Sequence, residues 1–120
     1  MLTKQLFDEV RIYQETKVAV VSHNDLDGVG PIIIAKNFFK DCKYFTVSNQ
    51  AVDKVVKLVL FAPEYADREV IFITDCSVTD AGLISFINAE NARGKRRIFL
   101  FDHHGTALSI NNFEWAEVTQ

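Results

Sequence analysis

The sequence has 120 residues, of which 48% are hydrophobic and 24% charged, and its formal net charge is −3. That length suits one domain with a real core, and the hydrophobic share excludes a disordered chain. The mild negative charge excludes a general basic field for nucleic acid, so an anionic substrate must be attracted locally.

In chain order, Leu2, Leu6, Val10 and Tyr13 share one face and predict an amphipathic helix from about Leu2 to Glu15. Lys17 to Ser22 is a first strand with little polar alternation, as a strand covered on both faces requires. A helix is expected to open at Pro31, whose missing N–H costs nothing in a first turn. Ile32 to Phe39 is apolar almost all round, which predicts deep packing. Lys43 to Ser48 reads as a second strand. Val52, Val55, Val56 and Val59 recur at helical spacing within Ala51–Phe61, and Pro63 stops that helix.

Glu69 to Asp75 is the third strand. Ser77 or Thr79 is expected to cap the helix Ala81–Ala92, which Gly94 ends. Lys95 to Phe101 is the fourth strand, and a short fifth is expected at Phe113–Val118. No linker, repeat or low-complexity tract interrupts residues 1–120, which read as a single domain. Strands alternating with helices imply right-handed βαβ units. The expected fold is therefore α/β, a three-layer, doubly wound, mostly parallel sheet, and the order 2-1-3-4 is taken because it puts the switch point between the first and third strands, beside the acidic loops.

Cys42 and Cys76 form no CxxC pair and suit reduced, structural thiols. No apolar run is long enough to span a bilayer, and the N-terminus lacks a signal-peptide core. The cytoplasm is the expected location, with no membrane partner.

Three hydrophobic strands end in metal-capable side chains. Val18-Ala19-Val20-Val21 runs into Ser22-His23-Asn24-Asp25-Leu26-Asp27-Gly28, with His23, Asp25 and Asp27 at alternating positions. Val70-Ile71-Phe72-Ile73-Thr74 ends at Asp75, and Ile98-Phe99-Leu100-Phe101 ends at Asp102-His103-His104. All three histidines of the chain fall in these clusters. Each cluster also has a plainer reading: Asp25-Leu26-Asp27-Gly28 is good turn chemistry, Asp75 can cap a helix, and one of two histidines can be buried and hydrogen-bonded. Their conjunction at three strand ends, along one ligand-binding edge of a parallel sheet, points instead to a metal site.

Carboxylates gathered at one edge repel each other unless cations neutralise them. Mixed Asp and His donors without a thiolate suit Mn²⁺, whereas pure oxygen sets favour Mg²⁺ or Ca²⁺. The donors exceed the needs of one ion, so two metals ~3.5–4 Å apart are expected, with Asp75 on the central third strand as bridge. Other signals are weaker. Gly28-Val29-Gly30 lacks the third glycine of a dinucleotide loop, and no P-loop occurs. The basic run Arg93-Gly94-Lys95-Arg96-Arg97 enters the fourth strand ~20 Å from the metals and reads as a solvated turn. Cys76 has no base of its own and reads as packing.

His23-Asn24-Asp25-Leu26-Asp27-Gly28, Asp75 and Asp102-His103-His104 resemble the first three motifs of the DHH phosphoesterases, in order and across nearly the whole chain. That family includes RecJ-type single-strand exonucleases, oligoribonucleases, cyclic-dinucleotide phosphodiesterases and manganese-dependent pyrophosphatases. The resemblance implies a hydrolase that cuts phosphoester bonds of short single-stranded oligonucleotides or small nucleotides with a water activated by two divalent metals, Mn²⁺ before Mg²⁺. It makes His23 and Asp25 ligands of one metal, Asp27 and His103 ligands of the other, and Asp75 the bridge. Asp27 and Asp75 then belong to the catalytic centre. His104 would face the scissile phosphate, and Asp102 would orient a histidine.

The first motif is more similar to the oligoribonuclease branch than to the pyrophosphatases, which remain the alternative enzyme. A receiver-like signalling module is the alternative of another class; it would need a Ser or Thr where Asp102-His103-His104 stands. Family members carry a fourth motif and a second, substrate-binding domain further on, and this sequence ends 16 residues after His104. It is therefore expected to be the N-terminal part of such an enzyme and weak or inactive by itself. A homodimer of the full-length protein stays open.

Overall fold

Val70-Ile71-Phe72-Ile73-Thr74 offers no polar face, and in the computed structural model of the chain every one of these residues is buried in strand β3 (Val70–Thr74). The structure describes residues 17–24, 26–48, 50–94, 96–102 and 114–118. Strand β1 (Lys17–His23) lies beside β3, and beyond it β2 (Asp41–Val47). On the other side lie β4 (Arg97–Asp102) and then β5 (Ala116–Val118), giving the order β2-β1-β3-β4-β5 with every pairing parallel. The expected order 2-1-3-4 is thus the observed one, and the fifth strand is the three-residue β5. The helix expected over Leu2–Glu15 falls outside the described residues.

Helix α1 (Leu26–Phe38) covers one face of the sheet through Ile32, Ala35 and the following Phe39, packed with Val18, Val20, Val70 and Phe72. Helices α2 (Val52–Phe61) and α3 (Ala81–Arg93) cover the other, where Val52, Val56, Val59, Leu83 and Ile87 meet Ala19, Val21, Ile71, Ile73, Ile98 and Leu100. The alternation of side chains along β1 and β3 feeds these two cores in turn. Three layers result.

The local expectations need four corrections. The second helix opens at Leu26, not Pro31, so the proline lies inside it and denies the Asp27 carbonyl an i+4 donor. That helix is not buried all round, because Ile33 and Ile34 are 53% and 37% exposed while Ile32 and Ala35 face the sheet. Asp80, not Ser77 or Thr79, caps α3, its Oδ2 accepting from the Leu83 N–H at 2.8 Å. Thr79 is committed elsewhere: its N–H and hydroxyl donate to the two carboxylate oxygens of Asp53 at 2.9 and 2.8 Å. Finally, the basic run is not wholly solvated. Arg96 donates to the carbonyls of Leu60 and Val59 at 2.8 and 3.1 Å, supplying a cation to the C-terminal end of α2. Gly94 ends α3 as expected, at φ 77°, a left-handed conformation that glycine adopts without a Cβ penalty.

At the N-terminal edge of the sheet lies a residue that the sequence pattern did not single out. Arg68 is 3% exposed. Its guanidinium donates to the carbonyls of Val18 and Asp41, each at 3.2 Å, and pairs with the carboxylate of Asp41 at 2.8 Å and that of Asp67 at 3.3 Å. It ties β1, β2 and the segment before β3 together.

Candidate metal centre

The register of the sheet aligns the expected site residues. Ser22 of β1 pairs with Thr74 of β3, and Thr74 pairs with Phe101 of β4. One step further along each strand stand His23, Asp75 and Asp102. Neighbouring strands lie ~4.8 Å apart, so an imidazole and a carboxylate flank the central Asp75. This row sits where the chain crosses from β1 outwards to β2 in one direction and to β3 in the other, the switch point at which open α/β sheets bind ligands.

The row is largely enclosed. Asp75 and Asp102 are each 6% exposed, and both carboxylate oxygens of Asp75 and Nδ1 of His23 are buried. Their charge registers on the neighbouring thiol. Burial first, then the carboxylates of Asp102 and Asp75, push the Cys76 thiol up to about 12. Cys76 donates weakly to the Val21 carbonyl at 3.9 Å and packs in the core, as its expected structural role requires. Cys42 is likewise a free thiol, raised to about 11 chiefly by burial.

Asp75 is the only described non-glycine residue with a positive φ, at 56°. For an L-residue that conformation costs roughly 1–2 kcal/mol, least for Asp and Asn. Its neighbouring peptide is held firmly. The Asp75 N–H donates to the Phe101 carbonyl at 2.9 Å. The Thr74 carbonyl accepts from the Ser22 hydroxyl at 3.0 Å, and the Thr74 hydroxyl donates to Ser22 Oγ at 2.8 Å. Ser22 and Thr74 are buried. Sequence reasoning passed over both, although a single hydroxyl at the end of each of two adjacent apolar runs was a visible signal.

His23, Asp75 and Asp102 are therefore brought together as a row. Asp25, His103 and His104 lie outside the described residues, as does the side chain of Asp27, whose backbone is in the first turn of α1. Among the described residues no group of three His, Cys, Asp or Glu side chains forms a ligand cage. Two buried carboxylates and an imidazole at neighbouring strand ends are nonetheless donor types that suit a divalent cation. No helix among the described residues is long and apolar enough to cross a membrane.

Comparison with known proteins agrees with the motif reading. The model of the DHH family, N-terminal domain, matches residues 17–117. Oligoribonuclease NrnB of Bacillus subtilis (strain 168) is 38% identical over 99 residues, covering 81% of this chain and 24% of that protein. The chain thus spans about a quarter of the length of this curated relative. No solved structure gives a significant match.

Proposed function

The chain belongs to the DHH family, and on that premise we propose that it provides the metal-holding part of a phosphodiesterase acting on short oligonucleotides. The observation that carries the reading is the row His23, Asp75 and Asp102 at the switch point of the sheet, with Asp75 held in a left-handed conformation. Backbone strain of that kind concentrates at functional sites. The oligoribonuclease named among its relatives favours an oligonucleotide over pyrophosphate, and family membership sets the receiver-like module aside.

In this reading His23, Asp25 and Asp75 would hold one divalent ion and Asp27, Asp75 and His103 the other, Mn²⁺ being preferred by the mixed donor set. When bound, such a pair supplies an activated water and clamps the phosphate oxygens during in-line displacement. The chain's own residues do the rest. Asp75 would serve both metal positions, His104 would stabilise the charge that develops on the phosphate, and Asp102 would accept from a histidine N–H and fix its ring.

Asp75→Asn tests this. Asparagine keeps the shape and tolerates positive φ, so the variant should fold. Calorimetric titration should show tight Mn²⁺ binding lost, and any cleavage of a short RNA that the unmutated chain shows in Mn²⁺ should be lost with it. Two undisturbed Mn²⁺ sites in Asp75→Asn would sink the reading.

A further inference from the structure

We infer that Ser22 is a positioning residue, one whose hydroxyl fixes the peptide that aims Asp75 into the site. This rests on the reading of Asp75 as a metal ligand and goes beyond it, since Ser22 itself belongs to no ligand set. The peptide between Thr74 and Asp75 is gripped from both sides. Its carbonyl accepts from Ser22 Oγ at 3.0 Å, and its N–H donates to the Phe101 carbonyl at 2.9 Å. With this plane fixed between β1 and β4, the turn to φ 56° falls on Asp75.

The Thr74 hydroxyl completes the device. By donating to Ser22 Oγ at 2.8 Å, it occupies an acceptor site of that oxygen and leaves the Ser22 proton for the carbonyl. Both side chains lie on the face that α1 covers, continuing the rows of Val18 and Val20 and of Val70 and Phe72. An apolar pair would serve packing alone at these buried positions, whereas two hydroxyls must satisfy each other to be tolerated there. The arrangement thus spends polar groups where only orientation is gained. A supporting hydrogen bond of this sort behaves like those that orient metal ligands elsewhere, and its loss typically weakens metal binding ~10–100-fold.

The test compares Ser22→Ala with Ser22→Thr in the full chain. Hydrogen exchange of the metal-free protein, followed by NMR, reports the Asp75 amide directly, and Mn²⁺ titration reports the consequence. Ser22→Ala should speed exchange at Asp75 well beyond any change at Ile71 and Phe72 of the same strand, and weaken Mn²⁺ binding at least ~10-fold. Ser22→Thr keeps the donor and should restore both. A purely structural role would raise exchange evenly along β3; that result, or unchanged Mn²⁺ affinity in Ser22→Ala, overturns the inference. Should the unmutated chain bind no Mn²⁺, the functional reading fails, and selective loosening at Asp75 still decides the role of Ser22. The Asp75 amide in Ser22→Ala alone settles the matter where the extra methyl of Ser22→Thr strains the buried site.

Discussion

Replacing Arg68 by methionine should separate the stability of this sheet from its chemistry. Arg68→Met keeps an apolar stem in the site but removes the charged donor from the carbonyls of Val18 and Asp41. Hydrogen bonds to a charged group contribute ~1.5–3 kcal/mol each. Carbonyl oxygens have two lone pairs and keep other opportunities, which places the two-bond loss near the lower end, about 3 kcal/mol. The ion pairs add little, because the Asp41 and Asp67 side chains are 44% and 49% exposed and water screens them. For a domain of this size that corresponds to a fall in Tm of roughly 10–15 °C. Urea melts should show a lower midpoint with unchanged slope, since the folded and unfolded surfaces stay the same. Val18 is five residues before His23 along β1, roughly 16 Å at the rise of a strand, so Mn²⁺ affinity at temperatures where the variant is folded should not change. A loss below about 1 kcal/mol would refute the reasoning that the two carbonyl bonds anchor this edge, and a parallel loss of Mn²⁺ affinity would refute the separation.

Acid should act on the same edge. Hydrogen bonds from Arg68 and then Lys17 hold the Asp67 carboxyl down at about 2, and Arg68 also lowers that of Asp41. Both groups bind protons less readily folded than unfolded, so their contribution is whole above about pH 4; that of Asp67 is lost as pH falls through about 2, and that of Asp41 is likewise lost in acid, below its ordinary range. Because the Asp67 side chain is half exposed and water screens its pair, Asp67→Asn should flatten acid unfolding only modestly in that window, and a steeper acid profile would remove Asp67 from the account. Thiol labelling offers a further check: with Cys76 raised to about 12 and Cys42 to about 11, iodoacetamide at pH 8 should modify neither in the folded chain at the rate of a free thiol, as mass spectrometry can show. Asp80→Ala removes the acceptor for the Leu83 N–H and should cost ~1 kcal/mol in a thermal melt; no loss would mean that another group caps α3.

Strands β1 and β3 were legible because buried parallel strands leave continuous apolar runs, and the order was legible because it puts the switch point of the sheet beside the acidic ends of those runs. Gly94 was legible too, since only a local conformational preference was needed. Pro31 was misread because Asp-Leu-Asp-Gly has the composition of a turn, which concealed that the helix already begins at Leu26. The cap of α3 was misread for a different reason: Thr79 is drawn away by Asp53, 26 residues earlier, and no local pattern carries that information. Arg96 and Arg68 belong to the same class, each satisfying carbonyls far off in sequence. Around the candidate site, the identities of His23, Asp75 and Asp102 were visible in the sequence. The turn at Asp75 and the hydroxyl pair beneath it were not, since both depend on how β1 and β3 are juxtaposed.

That juxtaposition has a kinetic meaning. Ser22 and Thr74 are 52 positions apart in the chain, and parallel neighbours cannot be joined by a hairpin. No local fragment can therefore assemble the row; it exists only after the costly long-range closures that make such topologies slow to fold. If the row forms after the folding barrier, a cation held there stabilises the finished sheet without helping to nucleate it. The ion would then leave the folding rate untouched and slow unfolding alone, lengthening the lifetime of the native state.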